Sequence, residues 1–172
     1  MSGHGLITEL DPVIIRRVVG LLPDDVMAAQ LAATAAHMDS CAAAGRRVVT
    51  IVDLSEAERA PAIQRKMQSD WIAEHAALLA RVSLGTAFVV PSALIRGALT
   101  AIFWVHPPPH PHTVLGAFDE ALDWALARLD EAGIRRPPRL DTAEGRGAAR
   151  IMGSAQGARA EPRRASGGSR RW

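Results

Sequence analysis

The side chains best placed to meet a ligand are Asp53, Ser55, Arg65, Ser92 and Arg96. Asp53 and Ser55 close the run Arg46–Ser55, Arg-Arg-Val-Val-Thr-Ile-Val-Asp-Leu-Ser, and Ser92 and Arg96 follow the apolar run Gly85–Val90 and Pro91. Parallel strands ending at Asp53 and Pro91 would leave the sheet by one edge, where open α/β sheets hold their ligands. Backbone N–H groups over Ser92–Leu94 together with Arg96 would suit a carboxylate or phosphate. Arg65 would stand one turn into the neighbouring helix. The plainer alternative is that Asp53 and Ser92 cap helices while Arg96 is solvated or paired with an acid. No nucleophile, metal cluster or glycine loop follows Asp53, so no catalytic residue is assigned.

Other reactive residues are weighed in the same way. His106, His110 and His112 in His-Pro-Pro-Pro-His-Pro-His invite a metal reading, but zinc needs three or four ligands in tetrahedral array. The prolines stiffen the segment and no Cys or acid lies within it, so a connecting loop is preferred and neither metal nor cofactor is assigned. An extended polyproline surface for a partner is the other use of such a stretch. Cys41 is the sole cysteine and reads as a packed thiol in a helix. His37 and His75 fall on helices without an evident acid, Ser or Cys partner. Trp71 fits a core stripe, whereas Trp104 and Trp124 lie off the main stripes and are candidates for a self-association surface or an apolar pocket.

The elements that must position these residues follow from periodicity. Gly5–Leu10 and Val13–Gly20 read as a hairpin around Asp11-Pro12, with Arg16 and Arg17 implying partial exposure of the second strand. Pro23-Asp24-Asp25 opens a helix with acids at its positive end, and Gly45 ends it. Arg46–Leu54 is a strand apolar enough to be covered on both faces. A helix over about Pro61–Leu84 carries Ile63, Met67, Trp71, His75, Leu78 and Leu79 as its inward stripe, with Gln64 and Arg65 on other faces. Strand Gly85–Val90, a helix from Ser92 to Trp104, strand Thr113–Ala117 and helix Phe118–Ala132 complete the order β-β-α-β-α-β-α-β-α. The expectation is a mostly parallel α/β sheet with an antiparallel N-terminal hairpin strand.

Composition sets the outer limits. The 172 residues suit one domain with an appendage, and a hydrophobic fraction of 48% fits a globular protein. The N-terminus lacks the basic and apolar regions of a signal peptide, and no apolar run is long enough for a membrane span. A cytoplasmic protein without membrane insertion is expected. Residues 1–133 carry net charge −5 and residues 134–172 carry +7. From Ile134 the apolar periodicity fades, so 1–133 is taken as the domain and 134–172 as a disordered basic tail, with at most a transient helix over Thr142–Met152. Weak, salt-sensitive binding of nucleic acid or an anionic surface is the most such a tail would do.

The order of elements, with Thr50–Ser55, Gln64–Leu79, Ala87–Thr100 and Phe118–Trp124, resembles the STAS fold of anti-sigma-factor antagonists. More closely, residues 6–132 resemble bacterial SpoIIAA-like proteins, a group similar to both STAS and CRAL-TRIO lipid-transfer domains. That resemblance implies a regulatory, non-enzymatic module for protein interaction or ligand sensing, with a protein partner or self-association. It also implies an alternative, a carrier of a small anionic or apolar ligand in the strand-exit crevice or a sheet–helix cavity. The phospho-switched antagonists carry an Asp-Ser-Ser/Thr-Gly-like box after this strand. Here Glu58-Arg59-Ala60-Pro61-Ala62 offers neither hydroxyl nor glycine, and Pro61 removes a backbone donor, so the usual serine switch is not expected.

Overall fold

The computed structural model describes residues 4–7, 10–105 and 107–155. Its elements are β1 (His4–Ile7), β2 (Val13–Gly20), α1 (Asp24–Ala43), β3 (Val48–Ala57), α2 (Ala62–Glu74), α3 (Ala76–Val82), β4 (Ser83–Val89), α4 (Ala93–Val105), β5 (His112–Leu115), α5 (Phe118–Glu131), a 3-10 turn at Pro138–Asp141 and α6 (Ala143–Ala155). The strands lie in sequence order in one sheet. β1 is antiparallel to β2, and β2 through β5 are parallel. β3, the strand of the Val-Asp-Leu-Ser end, is central, as the apolar run predicts.

Strands taken in order fix where the helices go. Right-handed crossovers that always step in one direction put every connecting helix on the same face. Helices α1 to α4 therefore cover one face, and α5 and α6 cover the other. Alternation along the strands serves both layers. Val13, Ile15, Val49, Ile51, Ala87 and Val89 pack with Phe118, Leu122, Leu126 and Leu129 of α5 in the main core. Ile14 and Val48 pack with Met38, Cys41 and Val82, and Val18 with Met27 and Leu31, under α1 and α3.

Three local expectations are revised. The helix expected over Pro61–Leu84 is two helices broken at His75, and its last two residues belong to β4. Pairing of Ser83 with Val48 draws the chain into the sheet, where cross-strand contacts outweigh helical propensity. The inward stripe of α2 is also rotated: Ile63 is 57% exposed, whereas Gln64 is 2% exposed. Gln64 is held inside because its amide donates to Leu22 O and Asp24 Oδ1, both at 2.7 Å, tying α2 to the start of α1.

Second, of Arg16 and Arg17 only Arg16 keeps the expected partial exposure. Arg17 is buried, 3.7 Å from Asp53 and paired with Glu56, and Arg16 points to the opposite face. Third, the chain past Gly133 is ordered through Ala155. Leu140 and Ala149 are fully buried in the main core, with Ile134 packed against it. Arg136, Arg146 and Arg150 pair with Asp130, Asp123 and Asp119 along one side of α5. Apolar periodicity missed this segment because two isolated anchors and three ion pairs hold it, not a stripe. The rest of the expected tail lies outside the described residues.

Candidate functional site

The five candidate residues at the strand exits are not gathered into one site. Asp53 is buried on the α5 face beside Arg17, its rung partner on β2, and accepts from Ser55 N at 3.0 Å. The Ser55 side chain is exposed. Ser92 accepts from Ile95 N at 3.5 Å at the start of α4, and Arg96 Nη2 donates back to Val90 O at 3.1 Å. Arg65 Nη1 donates to Ala60 O at 2.8 Å. The side chains of Asp53, Arg65, Ser92 and Arg96 each bond to nearby backbone, and of the five only Arg65 reaches the cavity described next.

That cavity lies between the sheet and the α1–α4 layer and has a volume of about 180 Å³. Its floor is the helix-facing side of the strands: Ile14, Arg16 and Val18 of β2, Thr50, Val52 and Leu54 of β3, and Thr86 and Phe88 of β4. Its roof carries Met27, Leu31, Trp71, Leu99, Ile102 and Phe103. Phe88 and Phe103 meet edge to face, with centroids 5.2 Å apart. Thr50 and Val52 are half-buried although β3 is central, because they face this space. Sequence reasoning placed ligands at the strand ends and missed the cavity as a particular set of residues. The available signal was Arg16, a charge inside an apolar strand.

Polar groups on the wall are few and poorly satisfied. Arg16 Nη2 donates to Gln30 Oε1 at 3.1 Å and lies 3.9 Å from Met27 Sδ, while Arg16 Nε is buried without a partner. Burial pushes the guanidinium down to about 10, still charged at neutral pH. Trp71 Nε1 is another buried donor without a partner, its ring stacked 4.8 Å from that of His75. His110 Nε2 lies 2.9 Å from Thr86 Oγ1. Burial, with His112 nearby adding to it, pushes the His110 imidazole down to about 4.

The remaining candidates are placed as follows. His112 packs its ring 5.0 Å from Phe103, and His106 lies outside the described residues. Cys41 is buried with its Sγ 3.4 Å from His37 Nε2, a partner one helical turn away that sequence reasoning did not assign to His37. Burial raises the Cys41 thiol pKa, with Arg46 opposing and Asp11 adding, which keeps it protonated. Trp124 is half-buried against the main core, with the Arg128 guanidinium 5.9 Å over its ring. Trp104 is 86% exposed on α4. Among the described residues no helix is long and apolar enough to cross a membrane.

No protein-family model matches the chain, and no curated protein is similar to it at a significant level. A solved structure does share its fold. An uncharacterised protein of the DUF3478 family with a SpoIIAA-like fold, from Shewanella loihica PV-4, aligns with TM-score 0.52 at 16% identity, over 73% of this chain and 95% of that one. An anti-sigma factor antagonist from Mycobacterium paratuberculosis aligns over the same shares at 16% identity with TM-score 0.44. The chain has a STAS-like, SpoIIAA-like fold.

Proposed function

We propose that this protein is a non-catalytic, STAS-type ligand-sensing module that takes a small apolar molecule between its sheet and the α1–α4 layer. The observation that carries this reading is the cavity of about 180 Å³ roofed by Leu31, Trp71, Leu99, Ile102 and Phe103. Natural interiors are packed to crystal density and hold few voids larger than a water molecule. A dry cavity of about 150 Å³ already admits a benzene ring, whereas drug-sized ligands occupy pockets of about 300–1,000 Å³. The space therefore suits one ring or a short chain, and a lipid with two acyl chains exceeds it.

The wall gives little support to catalysis. Thr86 and His110 form a hydroxyl–imidazole pair, but an imidazole lowered to about 4 is a poor base at neutral pH. The reading also includes no serine switch. The loop before α2 ends in Pro61, and no side chain caps that helix. A second reading, contact with a protein partner or a second copy, is favoured by α4, where Leu94 is 64% and Trp104 86% exposed.

Native mass spectrometry of the full chain, with an indole titration, tests the ligand reading. Wild type should carry a non-covalent small-molecule adduct or bind indole. Replacing Ala98, on the α4 wall of the cavity, by Leu should weaken either signal at least about tenfold. A bare wild-type protein that ignores indole would overturn it. So would an Ala98→Leu variant that binds as well as wild type.

A further inference from the structure

Two adjacent arginines on β2 have opposite fates. Arg17 faces α5 and pairs with Asp53 and Glu56. Arg16 faces the cavity, and among the described residues no carboxylate forms an ion pair with it. Its contacts are neutral: the Gln30 amide and the Met27 thioether. Glu58, exposed at the cavity rim, is on the lining but forms no ion pair with Arg16. Buried charges are ordinarily paired, because desolvating an ion is costly unless a counter-charge offsets it. A guanidinium left with an amide, a thioether and one orphaned N–H is a charge without a counter-charge among the described residues.

The surroundings say what that partner is. The Trp71 indole N–H, on the roof of the same cavity, is a second orphaned donor. Donors without acceptors call for an acceptor, and the planar guanidinium fork matches a carboxylate. From Arg16 one rung of the sheet runs through Val52 to Phe88, two strand spacings or about 10 Å. The polar end of the cavity therefore gives way to an apolar one within the length of a small amphiphile.

We propose that the cavity is a site for a small apolar acid, its carboxylate on the Arg16 guanidinium and its hydrocarbon part among Val52, Phe88, Leu99 and Phe103. The inference rests on the cavity being a ligand site and adds the chemical class of the ligand.

Calorimetric titration of the full chain tests it with four probes: octanoate, phenylacetate, and their uncharged counterparts octanol and 2-phenylethanol. Wild type should bind the acids about 30-fold more tightly than the alcohols, the factor expected of a charge-assisted hydrogen bond. Arg16→Leu should lose that preference while keeping alcohol binding, which also shows that it folds. Arg16→Gln serves the same end should the leucine variant fail to fold, and Arg16→Lys should retain part of the preference. Equal binding of acid and alcohol by wild type, or a preference that survives Arg16→Leu, overturns the acid assignment and leaves the cavity reading standing. Failure of all four probes overturns the acid assignment, and together with a bare protein that ignores indole it overturns the cavity reading as well. Sedimentation with phosphatidylglycerol vesicles separates a lipid headgroup from a free acid: Arg16-dependent binding to vesicles without binding of the free acids overturns the proposal.

Discussion

At the scale of single residues the fold resists protonation most visibly at His110. Its imidazole is lowered from 6.5 to about 4 by burial first and by His112 second, and it contacts Thr86 Oγ1. Between those two values the unfolded chain takes up a proton that the folded chain refuses. The contribution is thus fully present above pH 6.5 and is lost as the pH falls toward 4, by about 1–3 kcal/mol. Urea unfolding at pH 7 and pH 4.5 checks this. His110→Gln, which keeps a hydrogen-bonding group near Thr86, should lose less stability over that interval than wild type. Asp53 illustrates what sequence could and could not give at this scale. Its place in the central strand was legible from the apolar run before it, although the strand runs on past it to Ala57. Its role was not, because Arg17 and Glu56 come from residues 36 positions before and three after, and only strand register brings Arg17 opposite it.

Elements were legible where periodicity ruled and obscure where tertiary contacts did. The strand and helix order, the hairpin and the amphipathic α5 followed from the 2.0 and 3.6 repeats. The break at His75 and the inward turn of Gln64 did not, since both depend on neighbours far along the chain. Gly85 is the sharpest element-scale constraint. It follows the register irregularity near the start of β4, with φ +153°, and a Cβ there would lie 2.6 Å from Trp124 Cη2 and 2.8 Å from Pro111 O. One glycine thus lets α5 and the loop before β5 close on the sheet together. Gly85→Ala should cost about 2–4 kcal/mol in chemical denaturation, from backbone strain and overpacking. Adding Trp124→Leu should recover only part of that loss, because the Pro111 carbonyl remains. Full additivity of the two substitutions would contradict this account.

Over the whole molecule, the two helical layers are built differently. The α5 layer is closed by the segment from Arg136 through α6, whose arginines descend α5 in antiparallel order, Arg136 on Asp130, Arg146 on Asp123 and Arg150 on Asp119. The Arg136 guanidinium, hydrogen-bonded to Asp130, holds that carboxyl below its ordinary pKa. Much of the apparent division between an acidic body and a basic tail is therefore resolved within the fold, which leaves fewer arginines for an external anion. Gly145 is part of the closure, since a Cβ there would fall 1.6 Å from Arg139 O. A chain ended at Gly133 should lose about 3–5 kcal/mol of stability, mainly through exposure of the Leu140 site; an unchanged thermal midpoint would show that α6 is an ornament. The α1–α4 layer leaves a partly open cavity of about 180 Å³ against the sheet. Space left under the α1–α4 layer has a mechanical meaning. Unfolding abolishes such space, so hydrostatic compression favours the open chain in proportion to it. The sheet should yield under pressure first on its α1–α4 side, and a molecule seated beside Arg16 would stiffen that side alone.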